Sequence, residues 1–292
     1  MSVFGRFGVS AFMLRVCLTA VLALAGAGTA LTGAQADGRL EARYRMSIGG
    51  LELGRAALII EIDDKSYVAS GSGRLTGVAQ AVAPGKGTAG ARGTMERGAP
   101  APRSFAMEAE SEKKSEAIRI VMNAAGVTDT RVEPPVNPAL DRVPISDKDK
   151  KGVLDPMTAA LIAVPAAADP FSAKACDRVL SIFDGRQRYD LELSFERVEE
   201  VKAEKGYEGP AVVCRIAYRP VSGHRPNRSA VKYMMKNRDM FVWLVPVAGT
   251  KVMVPFRAAV ATAIGVARLD AESFETEPMV PRRVAPARAG AP

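Results

Sequence analysis

The chain is poor in the residues that most often do chemistry. It has one histidine, one tryptophan and three cysteines in 292 residues. A lone histidine, His224 in "PVSGHRP", cannot build a histidine metal cluster, and its place beside Gly and Arg reads as a loop. No G-x-S-x-G, H-E-x-x-H or P-loop is present, so the common hydrolase, zinc-protease and nucleotide classes have no foothold. "DKDKK" at 147–151 lacks the glycine and terminal glutamate of a calcium loop and reads as a charged surface run. Asp63-Asp64 and Glu199-Glu200 fall at a turn and near a strand end, where carboxylates are solvated. Trp243 in "FVWLVP" reads as core, with lining of a ligand cavity as the sharper reading. Aromatic residues make up 6% of the chain, too few for the two girdles of an outer-membrane barrel. These absences imply no catalytic residue, no metal site and no cofactor.

Acidic residues are missing from the first 36 positions. Arg6 and Arg15 provide a positive leader, Val16–Ala30 an apolar stretch, and "AQA" a small-x-small cleavage site between Ala36 and Asp37. This is the pattern of a secretory signal peptide over 1–36. The apolar stretch is shorter than the roughly 20 residues a spanning helix needs. No later segment is long and apolar enough, so the body is expected not to span a membrane once the signal is removed. The expected location is the periplasm. The formal charge of +8 suits anionic envelope partners. No nucleic-acid motif accompanies it.

Cys17 leaves with the signal, and Cys176 and Cys214 remain. An even count in an oxidising compartment favours a disulfide over two buried thiols or a metal site.

What the sequence has in abundance is alternation. "LEARYRMSI" places Leu40, Ala42, Tyr44, Met46 and Ile48 on one face and charged residues on the other. Similar runs recur to Phe274, which predicts about a dozen strands over 37–276 as a single mostly-β domain. A Pro- and charge-rich connector over 133–153 joins its halves, and a basic Pro-rich tail over 277–292 is expected to be disordered. "DPMTAALIAV" predicts the one firm helix, with Asp155 as N-cap and Pro156 in the first turn. A helical turn is expected over 78–82, followed by a Gly-rich loop through "APGKGTAGARG". "SAVKYMMK" is ambiguous between helix and strand. Sheets of this size curl. The predicted fold is therefore a large antiparallel curved sheet closing toward a barrel or spiral, with one short helix near its lumen or mouth.

In "SIFDGRQRYDLEL" the Asp184-Gly185 pair signals a two-residue type I′ hairpin turn, which pairs Phe183 with Arg186 and Leu180 with Tyr189. Parity puts Tyr189, Leu191, Leu193 and Phe195 on a core face and Arg186, Arg188, Asp190 and Glu192 on an outer one. Arg186 and Arg188 are then candidates for a surface that docks an envelope partner. Cys214 shares an apolar face with Val212, Ile216 and Tyr218, so a bridge to Cys176 would pin the hairpin to the following strand.

The ordered motifs "YRMSIGGLELGRA", "DPMTAAL", "FDGRQRYDLEL", "CRIAYRPVSGH" and "WLVP…VPFRAAVATAIGVARL" resemble the exported bacterial family named domain of unknown function 3108, in its alphaproteobacterial form. The resemblance covers roughly 40–274. It implies a periplasmic, mostly-β protein without an established activity, and it carries over no catalytic residue. It also marks Asp155-Pro156, Asp184-Gly185, Cys176 and Cys214 as recurring structural positions. In plan the chain is similar to lipoprotein carriers and envelope-integrity proteins, an analogy of fold only. The reading from sequence is a non-enzymatic envelope protein that binds a lipid, a lipoprotein or a protein partner. The alternatives are an envelope hydrolase or transferase with an unfamiliar site, and a pure scaffold.

Overall fold

The computed structural model describes residues 37–279, apart from 83, 113 and 138–140. Residues 1–36, where a signal peptide ending at Ala36 is expected, and residues 280–292 lie outside the described residues.

Seven strands form an N-terminal meander: β1 (Gly38–Ile48), β2 (Leu51–Ile62), β3 (Ser66–Leu75), β4 (Gly85–Glu96), β5 (Ala99–Ser111), β6 (Lys114–Asn123) and β7 (Gly126–Glu133). A short helix, α1 (Gly77–Val82), sits between β3 and β4. After the connector come β8 (Ile162–Ala163), β9 (Arg178–Phe183), β10 (Arg188–Lys202), β11 (Lys205–Gly206) and β12 (Glu208–Ser222). Helix α2 (Ser229–Lys236), β13 (Met240–Pro246), β14 (Val252–Thr262) and β15 (Gly265–Pro278) complete the order. Alternation dictates the strands: in β1, Leu40, Ala42 and Tyr44 are buried while Glu41 and Arg43 are exposed.

One sheet joins all fifteen strands in the order 7-6-5-4-3-2-1-15-14-13-12-10-9, with β11 beside β15 and β8 beside β14. The joint between the halves is the antiparallel pair β1–β15, which runs from Gly38↔Pro278 to Ile48↔Ala267. β15 therefore extends two residues into the segment expected to be tail. The ladder does not close, since β7 and β9 remain its edges. They meet instead through side chains. A Cβ at Gly185, in the β9–β10 turn, would lie 2.7 Å from Ile118 Cγ2 and 3.4 Å from Val132 Cγ2 on β6 and β7. The connector covers both edges. Leu154 forms a parallel bridge with Ile182 on β9, and the β6–β7 turn at Gly126 packs on the Lys150–Lys151 backbone. Such cover shields parts of both edges from pairing with another chain.

Three sequence expectations change. "DPMTAALIAV" is not a helix. It makes a single 3-10 turn over Thr158–Ala160 and then pairs Ile162 and Ala163 with Met253 and Val252 of β14. Strand pairing there replaces the helical bonds that Ala-rich propensity would favour. The Gly-rich stretch is no loop but β4, fully paired with β3 and β5. "SAVKYMMK" is the helix α2, whose C-cap Asn237 ties it to β14 by a 2.9 Å bond from Nδ2 to the Ala261 carbonyl.

Two cores result. The larger runs from Leu40, Ile60 and Tyr67 to Phe183, Val213, Phe256 and Phe274. The smaller lies on the opposite face of β10–β14 and holds Leu193, Val212, Leu244 and Met253 beneath Ile162, Val164 and Cys176.

Candidate functional site

The inward residues of the meander are mostly Gly and Ala toward one end of strands β2–β5. On β2 they run Ile62, Ile60, Leu58, Ala56, Gly54, and their partners on β3 run Tyr67, Ala69, Gly71, Gly73, Leu75. On β4 they run Gly93, Ala91, Ala89, Gly87, Gly85, facing Phe105, Met107, Ala109 and Ser111 across β5. The large end is packed, with Ile60, Ile62, Tyr67 and Phe105 all buried. At the small end the wall is Gly and Ala, so facing strands leave space between them.

That space is a cavity of about 640 Å³ that is widely open to solvent. Its wall is almost wholly apolar, with Met46, Leu58, Leu75, Met107 and Leu269 around the Gly/Ala patch. Volumes of roughly 300–1,000 Å³ are usual for small-molecule sites. The glycines are not forced by crowding at three positions. A Cβ at Gly71, Gly73 or Gly85 would meet its nearest neighbours at 3.6, 3.8 and 3.5 Å, ordinary contact distances. Glycine inside a strand costs about 0.5–1 kcal/mol relative to alanine. At these positions it yields only room.

The Asp155 turn supplies the cavity's floor. Asp155 is fully buried, and its Oδ1 accepts the N–H groups of Met157 (3.0 Å) and Thr158 (2.9 Å). The Thr158 hydroxyl donates to Asp155 Oδ2 and lies 2.6 Å from Tyr67 Oη. Burial pushes the Asp155 carboxyl pKa up, against the hydrogen bonds from Thr158. Burial likewise raises the Tyr67 phenol, so this chain of three stays compact and uncharged over a wider range than free side chains would. Gly93 makes room for the Tyr67 ring, whose Cε1 would stand 2.7 Å from a Cβ there. The network fixes the turn so that Met157 and Ala160 face the cavity. Tyr44 Oη donates to the Pro255 carbonyl at 2.8 Å and closes the wall between β1 and β14.

The same strands carry charge on their other face. Arg74, Lys86, Glu108 and Glu110 alternate with the inward residues and line a second, more polar cleft of about 700 Å³ with Arg43, Arg55 and Glu272. Lys86 lies 3.2 Å from Glu110, and Arg55 lies 3.2 Å from Glu272. Arg43 and Arg74 make no ion pair among the described residues and are exposed. The sheet itself separates the apolar space from this charged cleft.

The residues singled out from sequence lie elsewhere. Cys176 and Cys214 are joined by a disulfide with their Cα atoms 5.4 Å apart, inside the second core. The hairpin at Asp184-Gly185 is present, but its register is Phe183↔Arg188 and Leu180↔Leu191, two residues beyond the expected pairing. The loop is four residues because Asp184 Oδ1 accepts the N–H groups of both Arg186 (2.8 Å) and Gln187 (2.7 Å). Among these residues only Gly185 has positive φ, whereas a type I′ turn needs two. A shift of two preserves parity, but two expected burials change: Arg188 pairs with the buried Phe183 on the side of the larger core, and Phe195, expected in the core, is 38% exposed at the Phe195/Arg197 bulge. Arg186 and Arg188 do not form an open docking face. Arg188 Nη1 is 2.7 Å from Asp190 Oδ1 and its side chain is 12% exposed, while Arg186 reaches toward the Glu133 and Pro134 carbonyls. His224 is buried in the connector region, and burial lowers its pKa against a hydrogen bond with the Ser222 backbone. Nearby acids are engaged: Asp141 pairs with Arg225 at 2.7 Å, and Asp149 holds Ser146. Trp243 is buried under the Arg257 guanidinium, 5.3 Å from the ring centre, and does not line the cavity. The Gly/Ala series on β2–β5 was the signal sequence reading passed over, because it requires the register of four strands at once.

The fold and cavity define a barrel-like, mostly-β protein with an apolar chamber in an open sheet. The chain belongs to the family described as protein of unknown function (DUF3108), whose model matches residues 43–272. Among solved structures it is similar to a beta-barrel-like protein of domain of unknown function DUF1849 from Brucella abortus. That likeness has a TM-score of 0.44 at 10% identity and covers 82% of this chain and 98% of that one. No curated protein matches.

Proposed function

We propose that this protein binds a lipid, with an acyl chain in the 640 Å³ cavity. One observation carries the reading. Glycine occupies inward positions 71, 73 and 85, where a side chain would fit and would fill the chamber. A sheet built only for stability gains by filling such space. Keeping it empty serves an occupant. Apolar burial is worth about 25 cal/mol per Å², so a chain of a dozen or so methylenes gains enough to offset its lost freedom.

The protein acts by binding, and its place is the periplasm. The leader over 1–36 and the Cys176–Cys214 bridge support that location, because structural disulfides persist in oxidising compartments. The direct test is mass spectrometry of gently purified protein under native conditions. An acyl-chain mass retained by the wild type and absent from Gly73→Leu is the expected result. A wild type that carries no lipid and does not take up a fluorescent fatty acid would sink the proposal. Fractionation of cells after osmotic shock checks the location, with release into the periplasmic fraction expected.

A further inference from the structure

The cavity reaches the strand ends marked by Met46, Leu75, Gly85 and Glu110. The tips of two hairpins stand just beyond them. Ile48, two residues past Met46, pairs with Leu51 across the β1–β2 turn and with Ala267 on β15. The Gly49 N–H donates to the Val266 carbonyl at 3.1 Å, which joins the β1–β2 tip to the β14–β15 tip. On these joined tips Leu51 is 53% exposed, Ile264 78% and Val266 41%. Single exposed apolar residues are ordinary, but here three large ones crown two bonded tips, Leu51 toward one face of the ladder and Val266 toward the other.

Cations flank these tips. The Ala261 N–H donates to the Asp239 carbonyl at 2.9 Å, and Asn237 holds the Ala261 carbonyl, so the end of α2 lies against the β14–β15 tip. Lys236 and Arg238 sit there in the open, and Met235 is 47% exposed. Arg268 is exposed on β15, and Arg74 near the end of β3. None of these four cations makes an ion pair among the described residues. Of the acids near them, Asp239 is exposed, while Glu52 and Glu272 are held by Arg55.

We propose that this end of the sheet docks on an anionic lipid bilayer. Leu51, Ile264 and Val266 enter the interface, and Lys236, Arg238, Arg268 and Arg74 meet the head groups. Apolar tips ringed by cations are the features that hold a protein on such a surface. The proposal takes from the cavity reading only the purpose of docking, which is to set the chamber's mouth against its source of acyl chains. The surface itself stands without it.

Flotation with vesicles tests the surface, using phosphatidylcholine alone and phosphatidylcholine containing a quarter phosphatidylglycerol. Binding to the anionic vesicles is expected, with weakening as salt rises from about 0.1 to about 0.5 M. The paired variant Leu51→Asp/Ile264→Asp should lose at least about tenfold, since it replaces inserted side chains with repelled charges. Lys236→Ala and Arg238→Ala should each lose about fivefold, because a cation near such a surface is worth about 1 kcal/mol. A normal circular-dichroism spectrum and melting temperature establish that the variants fold. Equal binding to both vesicle types, or full binding by the paired variant, would overturn the proposal. So would a concentration-dependent dimer that the paired variant abolishes without any vesicle binding, since the face would then belong to a second copy. The two readings fail separately. Gly73→Leu should lose bound lipid and still float with vesicles, whereas a wild type that carries lipid but never floats refutes docking alone.

Discussion

The two halves of the sheet use the same alternation to opposite ends. In the C-terminal half, β10–β14 are packed on both faces, with Val213, Val245 and Val254 on one side and Val212, Leu244 and Met253 on the other. Aromatic rings fill its contacts: Phe256 lies 5.4 Å from Phe274, and Tyr207 lies 6.1 Å from Phe256. In the N-terminal half, β2–β5 are buried on one face only, and toward one end that face is mostly glycine and alanine. One half is a filled core and the other a walled space. The difference lies in the size of inward residues and not in secondary structure. The filled half can therefore bear the stability while the hollow half carries a ligand. Four changes test that division, in order of expected effect.

The largest should come from the bridge in the filled half. Cys176 and Cys214 close a loop with a sequence separation of 38. In the chain-entropy model, opening such a loop costs about 4 kcal/mol. Cys214→Ser together with Cys176→Ser should lower the denaturation midpoint accordingly, and dithiothreitol should do the same to the wild type. If both leave the midpoint unchanged, the second core does not anchor the fold as described.

The next change attacks the seam. Gly185 has φ +91°, and its missing Cβ lets the β9–β10 turn press on Ile118 and Val132. Gly185→Val combines backbone strain with a clash, for a loss of about 2–4 kcal/mol. Hydrogen exchange should rise first in β6 and β7, the strands the turn seals. Uniform acceleration across the sheet would instead mean that the turn is not a local seal.

The third change is Gly73→Leu, and its effects should diverge. Ligand retention should fall at least tenfold, because the new side chain occupies the chamber. Stability should shift by no more than about 1 kcal/mol, since a strand glycine is replaced where its neighbours are 3.8 Å away. A severely destabilised variant would mean that the space is needed for packing and not for an occupant.

The sequence disclosed some of this contrast and hid the rest, for physical reasons. Strand alternation is local, so β1, β2, β10 and β12 were legible, whereas the burial of Arg188 beside Phe183 and the exposure of Phe195 depend on distant packing and were not. The hairpin's register was misplaced by two because the Asp184 carboxylate, bonding two N–H groups, widens the loop. β4 was hidden because glycine has little strand propensity and gains order only from β3 and β5 on either side. The turn at Asp155 passed for a helix because its capping chemistry is helical, while the pairing of Ile162 with Met253 that ends it is long-range. The cavity depends on all of these together, so no single stretch of sequence announces it.

The smallest effect concerns Asp155, which joins the two halves by holding the turn beneath the cavity. Burial raises its folded pKa above the unfolded value. Between those two values the folded state holds a proton that the unfolded state releases. The contribution is therefore complete below about pH 4 and declines as pH rises through the folded pKa. Asp155→Asn removes the titration while retaining an acceptor for Met157 and Thr158. Urea midpoints measured from about pH 4 to neutrality should fall less steeply for the variant than for the wild type. Asp184, also raised by burial, leaves a residual slope in both proteins. Parallel slopes for the two proteins would place the Asp155 carboxyl in contact with solvent. The floor of the chamber would then be wetter than the buried Tyr67–Thr158–Asp155 chain implies.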